Sequence, residues 1–421
     1  MKQNGINLLL LSAALLLLPS CGKEMFDEEV YNGFVDYQFM IDNVDREHDW
    51  CLTQSGTMTV SVPSDVYTVQ LLTANPYESA SAEIAAAVIC QGQQATLHYT
   101  IPIVHGQLYL AALTAQGNYM GVMPVAEGTE TVALTYDQLS QKGTLTRPAN
   151  QTFTYLYEVD FPYPGDFDYN DMVLRISKQP GSSPLEVDLS VTLQAVGAAT
   201  SYAAAIQLAG VPFNNVEKIE LISGAVLDEN YPFTPRYIES QDLLIRGRSK
   251  QAVIRLFESC QWVFNKTLNE LGLIDPMLYY NTTRTALEEY SAVVPPVTNV
   301  YRITFTSAEQ ASAFSFDNID PFIIHTYNNA YWEVHTYAHK FDEVFWAVFG
   351  NNKDKFDNHI SWSIVVPKAD FRYPTEGISL SSFNETTEER FGPYNGFSYW
   401  MQDHTQQLDW YLRPSYSQLL Y

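Results

Sequence analysis

Residues 186–193, E-V-D-L-S-V-T-L, alternate polar and apolar without a break and place Val187, Leu189, Val191 and Leu193 on one side of an extended chain. Successive side chains of a strand point to opposite faces, so this period of two reads as a half-buried strand. The pattern recurs toward the carboxyl end in Y-R-I-T-F (301–305) and W-S-I-V-V (362–366). It recurs toward the amino end in T-M-T-V-S-V (57–62), Y-T-V-Q-L (67–71), L-H-Y-T-I (97–101) and Q-L-Y-L-A-A-L (107–113), the last followed by a Gly117-Asn118 turn. The expected fold is therefore mostly β. A small amino-terminal antiparallel β-sandwich spans 41–140, and a larger jelly-roll-like or β-sandwich domain spans 151–421. The polar, proline-containing run Q-K-G-T-L-T-R-P-A-N-Q (141–151) marks the boundary. One stretch competes with this pattern. In 249–272, residues 253, 256, 257, 260, 264, 268 and 271 fall at helical spacing, with Gly272 as a stop, and the second half predicts a short helical insertion. The first half, Ala252–Phe257, reads equally as a buried strand.

Composition supports a folded β protein and excludes some functions. The 421 residues include 28 Tyr and 22 Phe, and only 17% are charged. Aromatic-rich, charge-poor chains favour strands over disorder. With 23 Lys+Arg against 48 Asp+Glu the net charge is -25, and no basic run occurs. Nucleic acid is excluded as a partner, because phosphate binding needs clustered cations.

The first 21 residues, M-K-Q-N-G-I-N-L-L-L-L-S-A-A-L-L-L-L-P-S-C, have the layout of a signal peptide over 1–20. Lys2 precedes the apolar run Ile6–Leu18, which is shorter than the roughly 20 residues of a membrane span. Leu18-Pro19-Ser20-Cys21 resembles the lipobox of bacterial lipoproteins. That resemblance implies that Cys21 is diacylated on its thiol and becomes the first residue of a lipidated tether over 21–40. The plainer alternative is an ordinary signal peptide with an incidental cysteine. Gly22-Lys23-Glu24 and then Asp27-Glu28-Glu29 resemble the export signal of surface-displayed lipoproteins of Gram-negative bacteria, and equally suit a solvated acidic tether. The expected location is the outer membrane, lipid-anchored and facing the cell exterior, with the periplasmic face as the alternative. An exported chain can form disulfides, and a bridge between Cys51 and Cys90 would contribute about 4 kcal/mol in the chain-entropy model. Both can instead be buried thiols, as expected of Cys260 among Phe257, Trp262 and Phe264.

The densest set of oxygen ligands is Y-E-V-D-F-P-Y-P-G-D-F-D-Y-N-D-M-V-L (157–174). Asp166, Asp168 and Asn170 alternate with Phe167 and Tyr169, Asp171 follows, and Glu158 and Asp160 stand just before. An extended backbone would point the alternating groups one way. Crowded carboxylates raise one another's pKa, and a structural Ca2+, which takes 6–8 oxygen ligands, would relieve the repulsion. The D-x-D-x-N start imitates an EF-hand loop, but Asp171 stands at the glycine position and Ser177 at the bidentate glutamate. A strand over 152–159, an acidic loop and a strand over 172–177 describe the stretch better. The competing possibility is a turn whose carboxylates cap backbone N–H groups.

The segment P-G-D-F-D-Y-N-D-M-V resembles the G-D-Y-D-F-N-D-x-V signature of LruC-domain-containing proteins, exported bacterial proteins of which many are lipoproteins. G-A-A-T-S-Y-A-A-A-I-Q-L (197–208), D-P-F-I-I with E-V-H (320–335), V-V-P-K-A-D-F-R-Y-P-T-E (365–376), F-S-Y-W (397–400) and D-W-Y (409–411) continue the resemblance in order, from about 150 to the end. It implies a β-rich surface or periplasmic module and no established reaction. Where that family carries Glu-Asp before the glycine, Glu158 is here followed by Val159, so one acid is missing or is replaced by Asp160.

Other constellations carry less. His335 and His339 have the spacing of two ligands on a helix face, but Thr336 replaces the glutamate of a metalloprotease motif, and a structural pair is expected. Tyr279-Tyr280, Trp332 and Trp346 suit a glycan-stacking platform or, more ordinarily, a β core. No nucleophile elbow, phosphate loop or dinucleotide fingerprint occurs, so no catalytic residue is assigned and the chain is not expected to be an enzyme. The expected role is binding, adhesion or scaffolding, with a glycan or another envelope protein as partner. A glycan-active hydrolase of the envelope and a fimbria-like subunit are the alternatives.

Overall fold

A computed structural model describes residues 44–126, 128–159, 165–198, 200–225, 238, 240–264, 279–283, 291–327, 330–336, 361–384, 389–417 and 420–421. The expected signal peptide and tether, Asp160, His339 and Trp346 lie outside the described residues.

The chain is mostly β, in two sandwich units. The amino-terminal unit contains β1 (Thr53–Ser61), β2 (Thr68–Leu72), β3 (Glu83–Ile89), β4 (Gln94–Pro102), β5 (Leu108–Leu113), β6 (Tyr119–Val125), β7 (Thr131–Ala133) and β8 (Ala149–Asn150). They form a sheet ordered β4-β1-β7 and a sheet ordered β6-β5-β2-β3-β8. Between them lie Met58, Val60, Val69, Leu71, Leu97 and Leu110, whereas Tyr67, which alternation placed with Val69 and Leu71, is exposed. The polar boundary run ends in β8, which pairs parallel with β3, and Gln151 alone separates β8 from the first strand of the larger unit.

The larger unit contains β9 (Thr152–Tyr157), β10 (Met172–Pro180), β11 (Glu186–Val196), β12 (Ala203–Pro212), β13 (Val216–Ser223), β14 (Leu244–Arg246), β15 (Gln251–Phe257), β16 (Tyr279–Tyr280), β17 (Ser291–Ala292), β18 (Val297–Phe305), β19 (Ile319–Tyr327), β20 (Ala330–Val334), β21 (Ser363–Val366), β22 (Ser382–Asn384) and β23 (Glu389–Phe391). One sheet runs β13-β18-β11-β10-β9-β21, with β16 and β17 attached beside β11. The facing sheet runs β14-β15-β12-β19-β20. Their shared core holds Phe153, Tyr155, Tyr157, Leu189, Val191, Ile206, Ile254 and Ile323. Each fully buried aliphatic or aromatic side chain there contributes about 1.5–3 kcal/mol.

The first sheet is buried on its other face as well. Leu156, Val173, Ala195, Ile364 and Val366 meet Phe371, Tyr373, Tyr394, Phe397, Trp400, Trp410 and Tyr411 from the carboxyl-terminal segment. Val44, Trp50 and Leu52, which precede β1, join this second core. Asp45 fastens that entry: its carboxylate accepts from His404 Nδ1 at 2.5 Å and from the His404 backbone N–H at 3.1 Å. Double-sided burial explains why T-F-T-Y-L-Y of β9 has no polar face despite alternating with its neighbours.

Two open readings resolve. Cys51 and Cys90 are free thiols, the alternative to a bridge between them. Cys51 precedes β1 and directs its Sγ–H to the Thr53 carbonyl at 3.1 Å, whereas Cys90 follows β3, in the other sheet of the sandwich, and packs partly against its core. The ambiguous run 249–272 divides: its first half is β15, buried within the second sheet, and helical backbone begins at Cys260 and is described through Phe264.

Candidate functional site

The acidic motif occupies the connection between β9 and β10. Glu158, just past the end of β9, is 1% exposed, Asp168 1% and Asn170 0%. The backbone is not extended as the alternation suggested. Phe167 and Tyr169 have φ of 61° and 53°, the left-handed region that non-glycine residues seldom enter. The alternation of sides nevertheless survives. Phe167 and Tyr169 enter the second core, and Tyr169 donates its hydroxyl to the Ser361 carbonyl at 2.8 Å. Burial of the two rings holds the strained residues in place.

One carboxylate oxygen from each of Glu158, Asp166 and Asp168 lies within 4.8 Å of the others. Oxygens that share one ion at the ordinary Ca2+–oxygen distance of about 2.4 Å lie no farther apart than that. Two glycines make the approach possible. Gly165, at φ 76°, takes a conformation that side chains disfavour, and a Cβ there would collide with the Glu158 carboxylate. A Cβ on Gly197 would collide with Asn170 Oδ1 and lie 2.9 Å from Glu376 Oε2, so these two oxygens converge on the same space.

Backbone amides satisfy part of the charge, as the capping alternative anticipated. Tyr169 N–H donates to Glu158 Oε1 at 2.7 Å, and Val159 N–H donates to Asp171 Oδ2 at 2.6 Å. Asp168 accepts from Asn170 N–H at 3.1 Å, Asn170 Nδ2 at 2.8 Å and Gly377 N–H at 2.8 Å. Asn170 Nδ2 also donates to the Pro374 carbonyl at 3.2 Å, which fixes the amide so that Oδ1 faces away from both donations. That Oδ1 is buried and has no hydrogen-bond partner. A buried, unpartnered amide oxygen costs about 1–3 kcal/mol unless something electropositive meets it.

The electrostatics have one sign. Burial, and then the nearby Asp166, Glu376 and Asp171 carboxylates, push Asp168 well above the usual carboxylate range. Burial likewise raises Asp166. The charged side chains that act most on Asp168 are all carboxylates. Such a pocket takes up protons or a hard cation.

Of the six residues singled out from sequence, Glu158, Asp166 and Asp168 converge, and Asn170 stands beside them. Asp171 turns its side chain toward β9, while its carbonyl accepts from the Tyr202 hydroxyl and from Gly197 N–H. Glu376 was missed, although it ends the stretch 365–376 already singled out by resemblance. Only the carboxyl-terminal cap brings it to the loop, where the Pro374 carbonyl and the Gly377 N–H bond Asn170 and Asp168.

Of the other candidates among the described residues, His335, Tyr280 and Trp332 are buried and Tyr279 is half-buried. His335 is buried between two carboxylates, with Nδ1 2.6 Å from Asp320 and Nε2 3.4 Å from Glu333. Tyr280 is 0% exposed and Trp332 7%, so neither offers a stacking face. Among the described residues, no helix is long and apolar enough to cross a membrane.

A family model described as a domain of unknown function, DUF4842, matches residues 185–411. No curated protein matches the chain. Among solved structures, a candidate lipoprotein from Bacteroides ovatus is similar with a TM-score of 0.52 and 14% identity, over 85% of this chain and 99% of that one. Likeness at that identity is one of fold alone. The T6 backbone pilin of serotype M6 Streptococcus pyogenes reaches a TM-score of 0.14 at 10% identity, over 66% of this chain and 58% of that one, and carries no argument.

Proposed function

Because the chain belongs to the family described as a domain of unknown function, DUF4842, whose model spans more than half of it, we propose a lipid-anchored surface module whose carboxyl-terminal cap is locked by Ca2+. The finer resemblance to LruC-domain-containing proteins is part of this proposal. Cys21 carries the lipid and the outer leaflet of the outer membrane holds it. The module binds or scaffolds, with a glycan or an envelope protein as partner.

The observation that supports the ion is the unpartnered Asn170 Oδ1 beside buried carboxylates. Glu158, Asp166, Asp168, Asn170 and Glu376 supply the oxygens, and Ca2+ suits them because it is a hard cation that tolerates irregular oxygen shells. Its effect is mechanical. The loop belongs to the β9–β10 hairpin, whereas Gly377 and Glu376 belong to the cap, so one ion joins both.

Calorimetry on the full chain in detergent tests the ion. At a Ca2+ concentration about 100-fold above Kd, stability rises by about 2.7 kcal/mol, and EDTA reverses the rise. Asp168→Asn abolishes the response. An unchanged melting temperature in the wild type rejects the lock. The anchor is tested separately: Cys21→Ser releases the protein from membranes, and protease added to intact cells removes the wild-type protein. Protection from protease places the protein on the periplasmic face.

A further inference from the structure

A second site lies where the two sandwich units meet, away from the acidic loop. A cavity of about 250 Å3 opens there between residues 49–53, β4, β9 and the segment 316–319. That volume exceeds the 150 Å3 that accepts one benzene and falls just below the range of drug-sized sites. It suits a single ring with a short chain.

The walls define the chemistry. Phe153 and Phe316 stack with centroids 4.1 Å apart and, with Tyr155, line the interior. Asp49 and Asp317 are exposed and line the same cavity. None of the lining residues is Lys, Arg or His, so the cavity contains no internal counter-charge. Asp317 is held in position by the Thr100 hydroxyl, which donates to Oδ1 at 3.2 Å, and Asp49 by the Cys51 N–H at 3.0 Å. Each contact spans two parts of the chain or fixes a turn, so both carboxylates are oriented before any ligand arrives. An aromatic interior with two oriented anions selects a cation carrying an apolar body.

We propose that this cavity binds a small aromatic or arylalkyl ammonium compound, the ring packing against the aromatic side chains of the wall and the ammonium group facing Asp49 and Asp317. The site is independent of the Ca2+ lock, since no residue is shared.

Titration calorimetry on the full chain in detergent, with phenethylammonium chloride as probe and 2-phenylethanol as its uncharged counterpart, tests the assignment. The amine binds with a Kd below ~1 mM and at least about tenfold more tightly than the alcohol, with or without EDTA. The double variant Asp49→Asn/Asp317→Asn, which changes two exposed side chains, removes that preference. Equal affinity for the two probes, absence of binding, or a preference that survives the double variant overturns the proposal. A second readout needs no variant. Cys51 lines the cavity, and mass spectrometry of iodoacetamide-treated protein follows its alkylation. The amine slows alkylation at Cys51 and leaves Cys90 unchanged; an unaltered rate at Cys51 also overturns the proposal.

Discussion

Two buried clusters of charge among the described residues of the larger sandwich are built on opposite principles. In one, Asp320 and Glu333 flank His335, and Asp320 also accepts from Thr336 N–H at 3.1 Å and its hydroxyl at 3.0 Å. Burial alone would lower the imidazole, but Asp320, and then Glu333, raise it to about 10. The chain supplies its own cation there. In the other, Asp166 and Asp168 meet further carboxylates and amides, and their protonation is raised. A cluster with its counter-charge built in is a structural element. One without it has an appetite for protons or metal.

The largest effect expected from this contrast is at His335. His335→Leu leaves Asp320 and Glu333 buried without the imidazolium and lowers stability by about 3–5 kcal/mol, measured by urea unfolding. Adding Asp320→Asn and Glu333→Gln restores part of the loss. At the acidic loop the effect is smaller: in EDTA, Asp168→Asn relieves repulsion but turns an amide toward the Asn170 or Gly377 donors, and costs less than His335→Leu. A loss comparable to that of His335→Leu would erase the distinction.

A second contrast is the response to pH. For His335 the folded pKa is raised, so its contribution is fully present below the unfolded value of about 6.5 and is lost as pH rises toward about 10. Asp168 and Asp166 are also raised, but for an acid this means that the native state binds more protons than the unfolded chain. Metal-free protein therefore loses stability as pH rises from the unfolded carboxylate value of about 3.9 toward neutrality, by at most about 1.4 kcal/mol per unit for each group. Ca2+ keeps the carboxylates ionised and reverses that slope, because protons then compete with the ion. Melting curves between pH 5 and pH 7, with Ca2+ and with EDTA, compare the slopes at the acidic loop. Parallel curves would remove the metal from the comparison.

Much of this was legible in one dimension. Alternation in 57–62, 67–71 and 186–193 placed Met58, Val60, Leu189 and Val191 in the cores where they lie. It worked because a strand with one wet face must repeat every two residues. It was less informative for β9, where every residue from Phe153 to Tyr157 is buried, and for Ala252–Phe257, where periodicity could not separate a buried strand from a helix. The acid spacing in 158–170 was legible for the same reason as the strands, although the backbone achieves its alternation through left-handed Phe167 and Tyr169 instead of by extension.

Local pattern and composition by themselves determined the β class and picked out the acids of the loop, because both depend on residue type and near-neighbour spacing. Tertiary structure alone decided that Glu376 and Gly377 close on that loop, that Cys51 and Cys90 remain apart, and that Asp49 and Asp317 share a cavity. Those outcomes depend on which sheet face the carboxyl-terminal segment covers and how the two sandwiches meet. Burial of Trp400, Trp410 and their aromatic neighbours sets that packing, and no spacing along the chain encodes it.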